Sequence, residues 1–438
     1  MLSLVCEAVA LVCRAAVVAV AAAIAYAWRG PRLPSWDLRL QVARDVMHHM
    51  AGTHFQHAAD DRALATLDIP ATVARMRRWH VNVGERIGAT APCLHGAVAV
   101  PVRGAVLDPD RLAGAGVGVG VGVGVGVGVG VGVAEPGLRA LCAADAADAA
   151  DGARAVPCEM HVATAIAGGL RAQAPGAAAL LECRPLHAAE PLVLYLHGGG
   201  YVVGSAAATR ILTAQISAAA GARVLTPDYR LAPEHPFPAA LVDALAVYAH
   251  VLAQGFAPAR IVVAGDSAGA HLALGLMHLL RTTAAAPLPG GLALLSPLAD
   301  MSRVWPSHAR NRHVDFLSMP PLESPTAFAR LLYAPGRPLT ARMRADLRDP
   351  LLSPLNGSFA APWPPTLIQA GAAEMLIDEI TELHARIRAQ NPDAPDVAEL
   401  EVYTDMGHAF HVLPGRPEAA RAIASIGDFV RRCTASGD

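Results

Sequence analysis

The stretch Gly265-Asp266-Ser267-Ala268-Gly269 lies between two runs of contrasting character. The apolar run before it, Arg260–Ala264, is typical of a buried strand, and Ala270–Leu274 after it favours a helix. A serine held between glycines at such a junction has the pattern G-x-S-x-G, in which small residues permit a sharp turn that lifts the hydroxyl above a sheet. The helix that follows would place its positive end at Ser267. Because the pattern is short and also fits a turn with a capping serine, the surrounding sequence has to decide.

A second glycine-rich turn, His197-Gly198-Gly199-Gly200-Tyr201, follows the apolar run Leu192–Leu196. Three successive glycines leave their backbone N–H groups open to a ligand. In acyl transfer, negative charge develops on a carbonyl oxygen and needs such donors, and the residue after the serine, Ala268, supplies another. We predict an oxyanion hole here, with His197 as a hydrogen-bonding residue of the turn. The alternative is a flexible loop.

A serine hydroxyl becomes a nucleophile only when a base removes its proton. In folds built around this turn, the order along the chain is serine, acid, histidine. The candidate base is His408, because it follows the strand-like run Glu399–Tyr403 near the C-terminus. The alternative base is His411.

The acid is expected between the serine and the histidine. The run Pro365–Gly371 predicts another strand, and Glu374 lies three residues beyond its end, where open α/β sheets place functional groups. There its carboxylate could orient the imidazole of His408. Asp378 is the competing candidate, although an acid one turn further on is also explained by the first turn of a helix.

These stretches, in this order, resemble the hormone-sensitive lipase family of α/β-hydrolases, a group of esterases, lipases and deacetylases. The matching parts are His197–Gly200, Pro227–Ala240, Gly265–Gly269, Asp349–Pro354, and the loops that carry Glu374 and His408. The resemblance covers Val156 to Cys433. It implies an α/β-hydrolase fold, with a mostly parallel central sheet, helices on both faces and a largely helical cap.

The resemblance also implies a site. It assigns a triad of Ser267, Glu374 and His408, and the oxyanion-hole donors are Gly198, Gly199 and Ala268. The expected activity is that of a serine carboxylic ester hydrolase, which acts through an acyl-enzyme on small-molecule esters with short- to medium-chain acyl groups and uses no cofactor or metal. Two alternatives remain: a membrane-anchored deacetylase of hydrophobic acetyl esters or amides, and a hydrolase-fold protein that binds a ligand without turnover.

Two positions depart from the family's usual pattern. The motif usually continues with a second glycine after G-D-S-A-G, and here Ala270 occupies that position. The family's acid is usually an aspartate followed by Pro-Leu, whereas here it is Glu374, followed by Met375 and Leu376.

Composition excludes several classes of protein. The chain has 438 residues, with a formal net charge of −2 and no basic stripe, which argues against a nucleic-acid partner. Its seven cysteines are scattered without C-x-x-C spacing, so neither a disulfide framework nor a zinc site is indicated.

The first 28 residues form a hydrophobic segment, interrupted by Glu7 and Arg14. Three interpretations compete: a signal anchor, a cleaved signal peptide, and an alanine-rich helix that lies on the domain. The first two predict a membrane-associated or a secreted protein, and arginines on both sides leave the orientation open.

Three further regions follow. Residues 29–113 are predicted to be a helical part of the cap, and residues 114–155 a low-complexity insert with a Val-Gly and an Ala-Asp tract. Alternating glycine raises the entropic cost of ordering, so a strand is not expected in the Val-Gly tract. Residues 156–438 are the predicted catalytic domain. Within it, Ser302–Pro350 is interpreted either as a second part of the cap, which forms a wall of the acyl pocket, or equally as a long packing excursion.

Overall fold

The computed structural model describes residues 18–27, 29–42, 44–45, 73–74, 77, 88–101, 106–107, 128–129, 154–173, 177–317, 319, 327–413 and 415–435. The first 17 residues of the hydrophobic segment therefore lie outside the described residues. So do most of the predicted helical region and most of the low-complexity insert.

Eight strands form the central sheet of the described residues: β1 (Cys93–Pro101), β4 (Ala155–Ala163), β5 (Leu192–Leu196), β6 (Arg223–Pro227), β7 (Ile261–Asp266), β8 (Gly291–Leu295), β9 (Thr366–Gly371) and β10 (Ala398–Tyr403). Two shorter strands, β2 (Val106–Leu107) and β3 (Gly128–Val129), pair in parallel apart from it. The spatial order is β1-β4-β6-β5-β7-β8-β9-β10. Neighbours from β6 to β10 are parallel, whereas β4 runs antiparallel to both β1 and β6.

Helices connect these strands: α1 (Thr164–Arg171), α2 (Ala206–Ala220), α3 (Ala239–Ala253), α4 (Ala268–Thr283), α5 (Pro306–Arg310), α6 (Phe328–Tyr333), α7 (Ala341–Asp346), α8 (Ile377–Ala389) and α9 (Pro417–Ala435). Alternate residues of each parallel strand face opposite sides of the sheet, and both sides are apolar. Helices α3, α4 and α8 pack on one face, and α2 and α9 pack on the other. The predicted α/β-hydrolase architecture is thereby confirmed.

The capping residues explain where one crossover helix begins and ends. Helix α2 begins after Ser205, whose hydroxyl accepts a hydrogen bond from the backbone N–H of Ala208. It ends at Gly221, which has the left-handed conformation that favours glycine. This helix leads directly into β6 beside the centre of the sheet.

The sheet extends further towards the N-terminus than the sequence suggested. Cys93–Pro101, assigned to the helical cap region, is instead an edge strand that pairs with β4 along its whole length. β4 itself begins at Ala155, one residue inside the predicted insert. Gly128 and Val129, within the Val-Gly tract, form a two-residue strand where none was expected. For β1, backbone pairing with the open edge of β4 is available to almost any sequence, so the sequence pattern alone did not exclude a strand there.

Helical segments cover the glycine-rich turn. The Phe328 ring, at the start of α6, lies where a side chain at Gly200 would otherwise project. The Arg77 side chain comes from the predicted N-terminal cap region. It donates hydrogen bonds to the carbonyl of Val202, just beyond that turn, and to the carbonyl of Ala232, beside it. Residues from both segments that were predicted to form the cap therefore lie against the turn.

Residues 18–27 are helical, with Ala22 buried and Val20 and Ile24 exposed. Across the part of the chain that the structure describes, no helix combines the length and the apolar character needed to cross a membrane.

Candidate functional site

Ser267 occupies a strained turn between β7 and α4. Its φ of 54° is unusual for a residue other than glycine, and its backbone is held by hydrogen bonds to Leu295 and from His271. Gly269 has no room for a side chain, since a Cβ there would lie 1.9 Å from the carbonyl oxygen of Leu196. The small residues of the G-x-S-x-G motif are thus required by the close approach of β5.

Three predicted residues meet at the carboxyl ends of the parallel strands. The Ser267 Oγ lies 2.8 Å from His408 Nε2, and His408 Nδ1 lies 3.0 Å from Glu374 Oε2. The serine follows β7, the glutamate follows β9 and the histidine follows β10, so each belongs to a different loop. The geometry is that of a nucleophile in contact with a base, which is in turn oriented by an acid.

Burial and charge adjust the two ionisable members of this arrangement. Complete burial raises the pKa of the Glu374 carboxyl above its ordinary value, although the contact with His408 opposes the shift. Burial also disfavours a charged imidazole. The hydrogen bond to Glu374 and the negative charges of Glu374, Asp315 and Asp266 outweigh this effect, so the pKa of His408 is raised. A raised pKa strengthens His408 as a proton acceptor for the serine.

The competing candidates lie elsewhere. The Asp378 carboxylate is held by the Arg310 guanidinium at 2.6 Å and by the Ser307 backbone N–H at 2.8 Å. His411 is buried, its Nε2 lies 3.1 Å from Gln369 Oε1, and burial lowers its pKa to about 3. Neither residue is brought to the serine.

The glycine-rich turn requires one correction. The Gly198 N–H, predicted to be an oxyanion-hole donor, donates to Asp266 Oδ1 at 2.9 Å and is therefore occupied. Tyr195 donates its hydroxyl to the same carboxylate oxygen at 2.6 Å. By contrast, no acceptor within the described residues receives the N–H of Gly199, Gly200 or Ala268. The sequence did not identify Gly200, because three identical residues in a row carry no signal for which N–H the neighbouring aspartate will occupy.

Tyrosine and histidine rings form hydrogen bonds and a stacking contact that hold the glycine-rich turn in place. The His197 ring bonds the Gly198 carbonyl at 2.7 Å and stacks on Tyr229 with 4.2 Å between ring centroids, as expected of a structural residue. Tyr229 donates its hydroxyl to the His197 carbonyl at 2.6 Å. Tyr201, just beyond the glycines, bonds His271 Nδ1 at 2.6 Å and so connects the turn to α4.

No group of three or more His, Cys, Asp and Glu side chains, among those whose positions are described, is arranged to hold a metal ion. The chemistry that the arrangement offers is proton transfer and nucleophilic attack by Ser267.

A family model described as "alpha/beta hydrolase fold" matches residues 193–412. An acetyl-hydrolase of Streptomyces hygroscopicus is 38% identical over 258 residues, which span 58% of this chain and 80% of that protein. An esterase of Acinetobacter venetianus is 32% identical over 250 residues, which span 57% of this chain and 77% of that protein.

Solved structures of esterases also match this chain. The esterase EstE5, in crystals soaked with p-nitrophenyl butyrate, is 33% identical with a TM-score of 0.53, over 64% of this chain and 82% of that one. An esterase described as a member of the bacterial hormone-sensitive lipase family is 36% identical with a TM-score of 0.51, at the same coverage. This chain belongs to the hormone-sensitive lipase family of α/β-hydrolases.

Proposed function

We propose that Ser267, His408 and Glu374 form the catalytic triad of this protein and hydrolyse carboxylic esters with short- to medium-chain acyl groups. The protein is a carboxylic ester hydrolase, as its relatives are. The observation that carries the triad is the continuous chain of hydrogen bonds from Ser267 Oγ through His408 to Glu374, at a turn where the serine has a positive φ.

The reaction proceeds in two halves. His408 accepts the Ser267 proton as the hydroxyl oxygen attacks the ester carbonyl, and then donates that proton to the departing alcohol. The remaining acyl-enzyme is attacked by water, which His408 deprotonates in the same way, and the acid is released as Ser267 recovers its proton. Glu374 holds the imidazole in the tautomer that faces the serine and stabilises the imidazolium.

The charge that develops on the carbonyl oxygen is received by backbone donors. Gly199, Gly200 and Ala268 are the proposed donors, because their N–H groups have no acceptor among the residues described. Gly198 acts indirectly: its bond to Asp266 ties the turn to the residue that precedes the nucleophile.

The names of the relatives indicate which substrate class to test first. One relative is named an acetyl-hydrolase, and EstE5 was soaked with a butyrate ester, so acetyl and butyryl esters are the first substrates to test. A ligand-binding protein without turnover would not need a histidine in contact with the serine, and a membrane-anchored deacetylase is not favoured over a general esterase.

The Ser267→Ala variant tests the proposal. Its kcat for p-nitrophenyl acetate and butyrate should fall by about 10⁶-fold, because no other hydroxyl contacts His408 Nε2 in the described site. The Ser205→Ala variant is a matched control, since that hydroxyl only caps α2. A fluorophosphonate should label the wild-type chain at Ser267. Labelling at another serine, or turnover by Ser267→Ala at the wild-type rate, would overturn the assignment.

We also propose that residues 1–28 determine where the protein resides, either at a membrane or outside the cell. The support is the apolar composition of Leu2–Trp28 and the exposure of Val20 and Ile24. The 29–113 and 114–155 segments are proposed to be cap and insert, apart from the strands described above.

A further inference from the structure

Asp315 is a completely buried carboxylate that the sequence did not connect with the site. Its Oδ1 accepts the backbone N–H of His408 at 2.6 Å, and its Oδ2 accepts the backbone N–H of Met375 at 2.5 Å. Met375 immediately follows Glu374. One side chain therefore bonds the backbone of the base and the backbone next to the acid, although the two residues are carried on different loops.

The backbone at Asp315 and the residue that follows it are also held in place. The Arg44 side chain, 4% exposed, donates from Nε to the Asp315 carbonyl at 3.1 Å. The next residue, Phe316, stacks on Trp36 with 6.1 Å between ring centroids. Gly407 leaves no free volume on the other side, because a Cβ there would lie 2.9 Å from Asp315 Oδ1 and 2.7 Å from the Phe316 ring. Asp315 therefore has little freedom to move without moving the loop that carries His408.

We propose that Asp315 is a positioning residue of the reaction: it fixes the His408 loop against the Glu374 loop and adds a second negative charge beside the imidazole. The inference rests on the proposed triad and deepens it. The Asp315 carboxylate bonds backbone N–H groups and not the Ser267 hydroxyl. Its effect passes through the backbone of His408 and through the field at the imidazole.

The charges around the imidazole define the expected pH effect. Glu374, Asp266 and Asp315 are the negative groups that favour the imidazolium. His411 packs nearby and is kept neutral by burial, and the Arg44 guanidinium lies behind Asp315. Burial raises the pKa of Asp315, while His408 and the backbone N–H groups of His408, Met375 and Leu317 favour its charged form. Removal of the Asp315 charge should lower the pKa of His408 and extend activity to lower pH.

The Asp315→Asn variant tests both effects. An amide of the same size cannot accept from two backbone N–H groups through both of its terminal atoms, so one loop loses its anchor. We expect kcat for p-nitrophenyl butyrate to fall by about 10²-fold with KM nearly unchanged. The acidic limb of the kcat/KM profile should move down by a few tenths of a pH unit. The matched control is Glu379→Gln, another completely buried carboxylate, which accepts a backbone N–H from Ala299. Its kcat and acidic limb should equal those of the wild type.

A second variant keeps the test independent of the folding of Asp315→Asn. Gly407→Ala pushes on Asp315 Oδ1 without removing its charge, so kcat should fall while the acidic limb stays in place. The Ser267→Ala variant distinguishes failure of this proposal from failure of the triad. Full activity of Ser267→Ala would refute the triad itself, and with it the role of Asp315. Wild-type kcat and an unshifted limb in Asp315→Asn would remove Asp315 from the site. A lower kcat with an unshifted limb would make it a purely structural residue.

Discussion

Glu374 is fixed at more points than its role as hydrogen-bond acceptor requires. Its Oε1 accepts the Gly371 N–H at 2.5 Å and the Ser296 hydroxyl at 3.2 Å, which leaves Oε2 for His408. The Asn311 side chain bonds its backbone carbonyl at 2.8 Å. Glu374, which replaces the family's usual aspartate, is thus hydrogen-bonded to the end of β9, the strand that precedes its loop. Its longer side chain therefore reaches His408 from a loop that is held in place.

The Glu374→Gln variant should lower kcat by about 10³–10⁴-fold, because an amide cannot stabilise the imidazolium or select the productive tautomer. Asp378→Asn should change kcat by less than about threefold, since Asp378 forms an ion pair with the half-exposed Arg310. Steady-state kinetics with p-nitrophenyl butyrate, alongside the melting temperature of each variant, measures both. The opposite ranking in two folded variants would transfer the acid to Asp378.

At the scale of elements, the sequence identified the strands that carry the site. β5 to β9 read as short apolar runs because parallel strands are covered on both faces, and in the structure their residues are almost completely buried. The edge strand β1 alternates between half-buried and exposed residues, and β4 contains Pro157, Glu159 and His161. β4 has no continuous apolar run, and the run of β1 is limited to its second half, Ala97–Pro101, so neither matched the pattern of the central strands.

The same limit applies to the site. Ser267, Glu374 and His408 each follow a recognisable strand, so their positions could be predicted from local patterns. Asp315 lies in an irregular segment and meets His408, 93 positions away, only after folding. The assignment of Gly198 failed for a related reason, since the partner of its N–H is a side chain 68 positions away.

The contact between the glycine-rich turn and α4 leads to a prediction for Tyr201→Phe. Loss of the hydroxyl leaves His271 Nδ1 buried without its partner, which costs about 1–3 kcal/mol of stability. Burial keeps His271 neutral, with a pKa lowered to about 4, so no charge is lost. Because the turn would move relative to Ser267, kcat should fall more than KM rises.

Tyr248→Phe is the matched control for Tyr201→Phe. That hydroxyl is also bonded to the protein, through the Pro287 carbonyl at 2.7 Å, but it lies on α3 outside the site. Chemical denaturation and steady-state kinetics should give a comparable loss of stability and an unchanged kcat for this control. Equal losses of kcat in both variants would mean that the Tyr201–His271 contact acts on stability alone.

At the scale of the whole molecule, residues 29–42 pack against the loop that follows β10. Trp36 donates its indole N–H to the Asp405 carbonyl at 2.7 Å and packs in a cluster with Leu40, Phe316, Met406 and Phe410. Met406 and Phe410 flank His408 in sequence. Part of the region that the sequence assigned to a cap therefore packs against the loop that carries His408.

Two truncations separate location from catalysis. A chain that begins at Arg29 should retain wild-type kcat/KM for p-nitrophenyl butyrate, and should leave the membrane or secreted fraction where the full chain is found. A chain that begins at Val46 lacks Trp36 and Arg44 and should lose both stability and activity. Trp36→Ala in the full chain should cost about 3–5 kcal/mol, as for other buried aromatic side chains. Full activity of the chain that begins at Val46 would show that this support is dispensable.

The indole of Trp36 and the carbonyl of Asp405 are separated by 369 positions in the chain. On a ribosome that adds about 5–20 residues per second, Trp36 is synthesised roughly 20–75 s before its partner. During that interval, this aromatic surface and the adjacent Leu40 have no final binding place in the nascent polypeptide. The earliest part of the domain to leave the ribosome is consequently among the last to dock, and the enzyme acquires its complete site only when translation is nearly over.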